Sequence, residues 1–201
     1  MLQIYTQTVN GTWLAVACNT QIVVSTFADT EQKALNNLLN KLPFNVPFQI
    51  LSLPSGCAKD TFTLMANILE GREVVCNSNL AMDKLPNYTV MVLKAVMQIP
   101  LGYVSTYSAV ANAVGGGSRA VGNVMAGNIF VPLIPCHRVV RADLSLGGYG
   151  GGLKIKYQLL MKEKRGYLES KKLKVKDSGG VLQIYPVEIT LDKVSKFFST
   201  L

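Results

Sequence analysis

Residues 107–126 read YSAVANAVGGGSRAVGNVMA, and this stretch decides the predicted fold of the region around it. Apolar residues recur at helical spacing on both sides of Gly115-Gly116-Gly117, and Ser118 is placed to cap the second helix. Two short helices joined by a glycine turn are typical of a helix-turn-helix, although ordinary packed helix pairs show the same pattern. The stretch therefore predicts a helical pair with two open interpretations, a DNA-binding unit or plain core.

The second helix of this pair has features that favour a nucleic-acid partner. Arg119 lies at its start, and the face that follows carries the small residues Gly122, Asn123, Ala126 and Gly127. Small residues let a helix backbone approach a groove closely. They would equally permit close helix packing, so both interpretations stay open.

The segment IPCHRVV, residues 134–140, is the strongest chemical signal in the chain, and it places the single histidine, His137, between Cys136 and Arg138. A given string such as Pro-Cys-His-Arg arises by chance in roughly one sequence in a thousand of this size. Cysteine reacts as the thiolate, and cationic or proton-accepting neighbours lower a thiol pKa from about 8.5. Cys136 is therefore the predicted nucleophile, whereas the remaining cysteines are expected to be inert buried thiols. These are Cys18, Cys57 and Cys76.

His137 is expected to need help in reaching the thiol. Consecutive residues of an extended segment point in different directions, so a water is expected between the ring and Cys136, with a carboxylate from elsewhere orienting the ring. The basic central part of the chain offers Asp143 and Glu163, and Glu163 is favoured because it lies near the end of a predicted helix over 154–165. Downstream, the glycine-rich loop 147–152 either brings backbone N–H groups against a ligand or is merely mobile.

The composition is that of a globular chain, with 49% hydrophobic and 16% charged residues among 201. The net charge of +8 is concentrated in residues 85–167, which carry nine Lys and Arg against two Asp and Glu. Residues 1–84 carry five against six, and residues 168–201 carry six against four. A localised basic surface suits a phosphate-backbone partner, although it is also a common solubility feature.

We expect a cytoplasmic protein without a metal or a cofactor. No apolar run approaches the roughly 18 residues of a membrane span, and the N-terminus lacks the pattern of a signal peptide. Four cysteines without a C-x-x-C pair, together with one histidine, do not match a structural zinc site. Low cysteine content suits a reducing compartment, while a disulfide within the first 80 residues stays open.

The predicted fold class is α+β, beginning with a small α/β scaffold domain over residues 1–84. Its expected elements are three short strands in an antiparallel sheet, a helix capped by Asp29 or Thr30 and ended by Pro43, and a second helix over about 60–70. The strands are placed at 2–8, 12–18 and 21–27.

Two further parts follow. Residues 85–167 form a mostly helical domain that contains the helix-turn-helix and Cys136. Residues 168–201 form an extension with lysines at 171, 172, 174 and 176, a turn at 178–180, a strand over 181–189 and a helix over 191–200. A packing role and an added DNA contact are both open for this extension.

Residues 88–167 resemble the active-site domain of the O6-alkylguanine-DNA alkyltransferases. The family's motifs occur in order, as Arg119-Ala120-Val121-Gly122, Gly127-Asn128, the Pro-Cys-His-Arg string and Gly148-Tyr149-Gly150-Gly151-Gly152. The resemblance implies a winged helix-turn-helix-like unit, in a monomer, that binds duplex DNA containing O6-alkylguanine. It further implies direct-reversal DNA repair, in which the alkyl group moves irreversibly to the protein in a single turnover.

The resemblance also implies roles for individual residues. Cys136 is the alkyl acceptor. The proton of its thiol is relayed by His137, a water and Glu163. Asn128 is a hinge between the recognition helix and the site. The helix enters the minor groove, Arg119 fills the gap left by the flipped guanine, and Tyr107 assists the rotation and hydrogen-bonds the base. The implied DNA contacts are Tyr107, Ser118, Arg119, Gly122, Asn123 and Ala126. The implied alkylguanine pocket comprises Tyr107, Met125, Cys136, Val139, Tyr149 and Gly150.

Two alternatives remain, a non-catalytic sensor of alkyl lesions and a helix-turn-helix regulator. Sensors that resemble this family replace the cysteine, so Cys136 argues against the first. A regulator would bind one operator tightly, whereas repair predicts salt-sensitive and largely sequence-independent binding.

Overall fold

The structure, a computed structural model, describes residues 1–54, 56–75 and 78–198. Contacts within the chain divide it into two compact units. The N-terminal unit comprises residues 1–84 and 129–133, and the C-terminal unit comprises residues 85–128 and those from 134 onward. Within the described ranges, no helix is long and apolar enough to cross a membrane.

The N-terminal unit is built on a four-stranded sheet with the order β3-β2-β1-β4. Its strands are β1 (Leu2–Val9), β2 (Thr12–Cys18), β3 (Ile22–Ala28) and β4 (Phe48–Leu51). β1 and β2 form a hairpin through Asn10 and Gly11, whose φ angles are 49° and 76°. Positive φ at both positions is what a tight hairpin turn needs, and the Asn-Gly pair supplies it with little strain. The three predicted strands and their antiparallel pairing are confirmed.

The fourth strand corrects the prediction of a purely antiparallel sheet. β4 pairs in parallel with β1, from Leu2 opposite Phe48 to Tyr5 opposite Leu51. The strand is four residues long and mostly exposed, so it lacks the alternation of buried and exposed positions that identifies a strand in sequence.

Two helices complete this unit, α1 (Glu31–Leu39) and α2 (Cys57–Leu69). Of the two predicted caps of α1, Thr30 is the one used, since its side chain accepts a hydrogen bond from Lys33 N at 3.3 Å. The core contains Ile4, Ala15, Ala17, Val24, Ala34 and Leu38. α2 begins three residues before its predicted start and ends, as expected, before Gly71.

Residues 129–133 lie along the outer edge of β3. Ser25 N donates to Ile129 O at 2.9 Å, and Val131 N donates to Ser25 O at 3.2 Å. Phe130 is fully buried, and Ile129 packs against the core of the N-terminal unit. This five-residue segment is therefore part of the N-terminal unit although its neighbours in sequence are not.

The C-terminal unit begins with the predicted helix-turn-helix. Its first elements are α3 (Asn87–Met97), β5 (Tyr103–Thr106), α4 (Tyr107–Val114) and α5 (Ser118–Ala126). α4 packs against both α3 and α5. Thr106 caps α4, its side chain accepting from Ala109 N at 3.0 Å. The helical pair is thus confirmed at its predicted position.

The prediction that Ser118 caps α5 is wrong. Gly117 occupies the cap position in an extended conformation, and Ser118 is already the first helical residue. The carbonyl of Gly117 accepts the first hydrogen bond of the helix, from Val121 N at 3.1 Å. That bond defines the cap residue, so the glycine takes the place that the serine was expected to fill.

The elements that follow α5 are a 3-10 helix (Cys136–Arg138), β6 (Val139–Val140), α6 (Leu153–Lys162), β7 (Lys171–Lys174), β8 (Val181–Pro186) and α7 (Val187–Phe198). The strands of this unit form a second four-stranded sheet with the order β6-β5-β8-β7. The strand predicted over 181–189 ends at Pro186, because α7 begins at Val187 and not at residue 191. Residues 199 and 200 of the predicted helix lie outside the described residues. β7 was missed because exposed lysines occupy most of it.

The extension after residue 167 packs into the C-terminal unit. Leu182 and Ile184 of β8 are fully buried. Val187 and Leu191 of α7 share one cluster with Val104, Val140, Leu146 and Leu160. These last four residues come from the strands, loop and helix around Cys136, so the extension contributes to the core on which that region rests.

The contribution of β8 to this core can be measured by shortening one of its side chains. Ile184 has no exposed surface and lies in an interior strand, so Ile184→Ala should lower the free energy of unfolding by about 2–5 kcal/mol. Val181→Ala, in the same strand at a site that is 54% exposed, is the matched control and should change it by less than about 0.5 kcal/mol. Urea unfolding followed by circular dichroism measures both. Equal losses would contradict a packing role for β8.

Candidate active site

Cys136 lies at the start of the 3-10 helix that connects Pro135 to β6. Its backbone N–H donates to Ile134 O at 2.8 Å, and the residue is 6% exposed. The expectation that this segment is extended is wrong, because residues 136–138 form a turn of 3-10 helix. The predicted nucleophile is therefore buried and held in a tight turn.

His137 and Glu163 form the pair that the sequence predicted. His137 Nε2 lies 2.8 Å from Glu163 Oε1, and each side chain is 1% exposed. Glu163 stands at the end of α6, where helix geometry fixes its backbone. The favoured carboxylate is thus the one that meets the histidine, while Asp143 is exposed and hydrogen-bonds to Ser145.

Arg138 is a second partner of the same carboxylate. Its Nε lies 2.9 Å from Glu163 Oε2, and its Nη2 lies 2.9 Å from Oε1, which makes a bidentate ion pair. Its Nη1 donates to Ile99 O at 2.7 Å. Burial alone would raise the pKa of Glu163, but the hydrogen bonds from His137 and Arg138, with the charge of Arg138 and, once the ring is protonated at low pH, that of His137, outweigh it and lower this pKa to about 2. Glu163 is therefore ionised at neutral pH.

The protonation of His137 follows from these contacts. Burial lowers the pKa of His137, and Glu163 only partly counteracts this, so the ring is neutral at pH 7. A neutral imidazole donates through one nitrogen and accepts through the other, and an ionised carboxylate can only accept. Nε2 therefore carries the hydrogen. Nδ1 retains a lone pair and is buried without a hydrogen-bond partner among the residues that the structure describes.

Lys156 is a member of this site that sequence reasoning missed. It is fully buried, and its Nζ donates to Val139 O at 2.6 Å and to Gly148 O at 3.3 Å. Burial lowers the pKa of Lys156 to about 8, while Cys136 raises it. A signal was present, because Lys156, Leu159, Leu160 and Glu163 recur at the spacing of one helix face. The pattern did not single out Lys156, because lysine side chains are usually found in solvent.

Tyr107 and Tyr149 each lie near Cys136. The Tyr107 hydroxyl donates to Gly148 O at 3.4 Å, and Lys156 Nζ lies 6.0 Å from the centre of its ring. Burial raises the pKa of both tyrosines, and Cys136 is close enough to raise each of them further. The hydroxyl of Tyr149 is buried. The glycine-rich loop is thus held at Gly148, which favours its interpretation as a ligand-binding loop.

A cavity of about 460 Å³ lies beside this loop, and Tyr149 is the member of the predicted pocket that lines it. Its other lining residues are Arg141, Ser145, Leu146, Gly147, Gly148, Gly152, Leu153 and Val194. Met125 is buried in α5, and Gly150 is exposed in the loop. The part that these two residues take in a pocket stays a prediction.

Asn128 links α5 to the site. The residue is 2% exposed, and its Nδ2 donates to Ile134 O at 3.1 Å. This bond spans the segment 129–133 and fixes the backbone two residues before Cys136. The bond therefore ties the end of α5 to the segment before Cys136, and the hinge role of Asn128 stays a prediction.

The predicted DNA-contacting face of α5 is open. Ser118, Arg119, Asn123 and Ala126 are exposed. A Cβ built on Gly122 would meet nothing within 4 Å, so close packing inside the chain does not require this glycine. The alternative that the small residues serve helix packing is therefore not supported at Gly122.

Neither a metal cluster nor a disulfide is found among the described residues. No three His, Cys, Asp or Glu side chains there come together as ligands. Cys18 and Cys57 are free thiols, and burial, with the neighbouring Cys57, raises the pKa of Cys18 to about 12. Burial and this raised pKa both favour the inert role predicted for Cys18. The prediction of a buried thiol is wrong for Cys57, which is half-buried at the start of α2, and Cys76 lies outside the described residues.

These observations define a class: a helix-turn-helix domain with a buried cysteine next to a histidine–glutamate pair. Residues 87–165 match the family model described as "6-O-methylguanine DNA methyltransferase, DNA binding domain". A methylated-DNA–protein-cysteine methyltransferase from Sulfurisphaera tokodaii is 37% identical over 109 residues, which are 54% of this chain and 69% of that protein. The chain therefore belongs to the methylated-DNA–protein-cysteine methyltransferase family.

Other relatives agree with this assignment. A protein of the same name from Pyrobaculum aerophilum is 48% identical over 68 residues, or 34% of this chain, so the match spans only 46% of that relative's length. The crystal structure of an O6-methylguanine-DNA methyltransferase from Pyrococcus kodakaraensis superposes with a TM-score of 0.66 at 26% identity. That match covers 81% of this chain and 99% of the other. The family and the α+β fold predicted from the motifs are confirmed.

The stability that Glu163 confers should depend on pH. Its pKa is about 2 in the folded chain and near 4.5 without its partners, so this stability is fully present above about pH 4.5 and is lost as the pH falls toward 2. The difference in free energy of unfolding between wild type and Glu163→Gln should be larger at pH 6 than at pH 2.5, by the order of 3 kcal/mol. Chemical denaturation at a series of pH values measures it. A constant difference would show that the partners do not hold the carboxylate in its charged form.

Proposed function

We propose that this protein repairs DNA by transferring the alkyl group from O6 of an alkylguanine in duplex DNA to Cys136. The observation that carries the proposal is the position of Cys136 directly before a histidine whose ring is bound to a buried, ionised glutamate. The names of the relatives point to the same activity. The transfer is irreversible, is completed once per chain, and proceeds in a monomer without a cofactor.

The proton of the thiol passes to His137. Because Nε2 is engaged with Glu163, Nδ1 is the accepting nitrogen, reached through a water as the family resemblance implies. The imidazolium that forms is stabilised by Glu163, which Arg138 keeps ionised. Both hydrogen-bonding nitrogens of the ring then have defined tasks, one to accept the proton and one to fix the orientation.

The thiolate of Cys136 then attacks the alkyl carbon. A carbon–sulfur bond forms while the carbon–O6 bond breaks, and the electron pair of that bond leaves with the guanine, which takes up a proton. The product is a thioether, which has no easy leaving group. Each chain is therefore consumed by one reaction.

An alkyl carbon within a duplex is out of reach of a buried cysteine, so the guanine has to leave the base stack. Flipping costs a few kcal/mol. Contacts to the flipped base, and a side chain that fills the gap in the stack, partly recover this free energy. Arg119 is exposed at the start of α5, where it is suited to fill that gap. The exposed Ser118, Asn123 and Ala126, with the half-buried Gly122, let α5 lie against the minor groove. Recognition in this groove concerns the backbone and the lesion more than the sequence.

The flipped base is held by groups around Cys136. Tyr107 hydrogen-bonds the base, and the loop at Tyr149 and Gly150 closes over it and donates to O6. The carbonyls of Cys136 and Val139 accept from the guanine amino group. Val139 O already accepts from Lys156, and a carbonyl oxygen has a second lone pair for the base. Asn128 keeps this pocket in register with α5.

Intact-mass measurement tests the transfer directly. After reaction with an excess of duplex DNA containing one O6-methylguanine, the protein should gain one methyl group and never more than one per chain. Cys136→Ser should gain none, while the matched control Cys57→Ser should behave as wild type. Absence of any gain with DNA binding intact would instead support a lesion sensor or a regulator.

Arg119→Ala separates base flipping from chemistry. The gap in the stack exists only in duplex DNA, so the variant should slow repair of the duplex by roughly 10- to 100-fold, as loss of a few kcal/mol implies. Its reaction with a free alkylated guanine base should stay near the wild-type rate. Rates follow from timed quenching and mass analysis, with Arg72→Ala in the N-terminal unit as a control that alters neither. Equal slowing on both substrates would remove the gap-filling role.

A further inference from the structure

We infer that residues 171–186, here called the lysine hairpin, are the wing of a winged helix-turn-helix and contact the phosphate backbone of DNA. The hairpin consists of β7, the turn 175–180 and β8. The inference rests on the proposed function in taking duplex DNA as the partner. It assigns a binding surface to a segment that lies beyond the family match, which ends at residue 165.

The topology of the sheet identifies the hairpin as a wing. β5 lies between α3 and α4, and β8 pairs with it in the antiparallel sense, from Tyr103 opposite Pro186 to Ser105 opposite Ile184. β7 pairs with the other edge of β8. A strand between the first two helices that pairs with the second strand of a later hairpin is the arrangement of a winged helix-turn-helix. The active-site segment from Asn128 to residue 170 is inserted between the recognition helix and its wing.

The turn of the hairpin is fixed beside the helix-turn-helix. Ser178 Oγ donates to Ala113 O at 2.7 Å, and a Cβ on Gly180 would collide with the same carbonyl. Lys94 of α3 binds Asp177 at 3.0 Å. Ala113 belongs to the last turn of α4, which leads through Gly115–Gly117 into α5. The turn is therefore anchored at the point where the chain enters the recognition helix.

The charge of the hairpin is strongly positive. Its sequence contains four lysines and one carboxylate, Asp177, which Lys94 neutralises. Lys171 is engaged in packing, since its Nζ lies 5.2 Å from the centre of the Tyr103 ring and 5.9 Å from that of Tyr167. Three cations remain, on Lys172, Lys174 and Lys176.

These three lysines are placed for a phosphate backbone. All are exposed, and none has an ion-pair partner within the part of the chain that the structure describes. Lys172 and Lys174 lie opposite Gln183 and Val181, so both project from one face of the hairpin. Adjacent cations on a rigid ribbon release counterions from DNA when they meet phosphates. If these lysines served only solubility, their positions in the fold would not matter, whereas a DNA-binding role requires them to lie together on one surface.

Salt-dependent binding to undamaged duplex DNA tests the inference. The variant carries Lys172→Gln, Lys174→Gln and Lys176→Gln, and the charge-matched control carries Lys33→Gln, Lys59→Gln and Arg72→Gln in the N-terminal unit. Fluorescence anisotropy between 50 and 200 mM salt gives the slope of log affinity against log salt. The hairpin variant should have a slope shallower by about 2–3 and bind at least about tenfold more weakly at 50 mM. The control should match wild type, and thermal melting should show both variants folded as wild type.

Two results would overturn the inference. A wild-type slope in the hairpin variant would show that its lysines meet no phosphates, and equal changes in the control would assign the effect to net charge. Because this DNA carries no lesion, the result is independent of the chemistry. If wild type gains no methyl group but the hairpin variant still loses the salt-dependent binding, the repair proposal fails and the wing remains.

Discussion

The buried carboxylate of Glu163 is the interaction on which the rest of the site depends. It joins the end of α6 to His137 and Arg138, the two residues that follow Cys136. Arg138, which binds this carboxylate, also donates a hydrogen bond to Ile99 O in the connection between α3 and β5. An ionised carboxylate is tolerated in the interior only when its oxygens are satisfied, and breaking such a pair typically costs about 3–5 kcal/mol. The orientation of His137 and the position of Cys136 therefore follow from one side chain.

The same face of α6 holds the other side of the site. Lys156 stands two helical turns before Glu163 and binds carbonyls of β6 and of the glycine-rich loop. Leu159 and Leu160 are buried between the two charges, and Leu160 anchors the helix in the core that the C-terminal extension completes. One helix thus positions the backbone around Cys136 with a cation at one end and an anion at the other. Only a rigid element can hold two buried charges at a fixed separation.

The parts of the fold that could be predicted are those with strong local patterns. The Asn10-Gly11 hairpin, α1, α4 and α5 follow from turn chemistry and helical spacing over eight or nine residues. β4 and β7 could not be found, since each has four residues and exists through pairing with a distant strand. In the site, Glu163 was predictable because a helix end offers a fixed position. The dual use of Glu163 by Arg138 and the burial of Lys156 required the tertiary structure, because both residues are usually found in solvent.

The course of the chain at 129–133 has a consequence for how this protein is assembled. The polypeptide leaves the C-terminal unit after Asn128, contributes five residues to the edge of β3, and returns at Ile134. The second unit is therefore discontinuous, and no single cut separates two complete folding modules. A fragment starting at residue 85 would carry Ile129 and Phe130 without the apolar surroundings that bury them. Completing the edge of β3 therefore requires a stretch of chain that lies, in sequence, between α5 and Cys136.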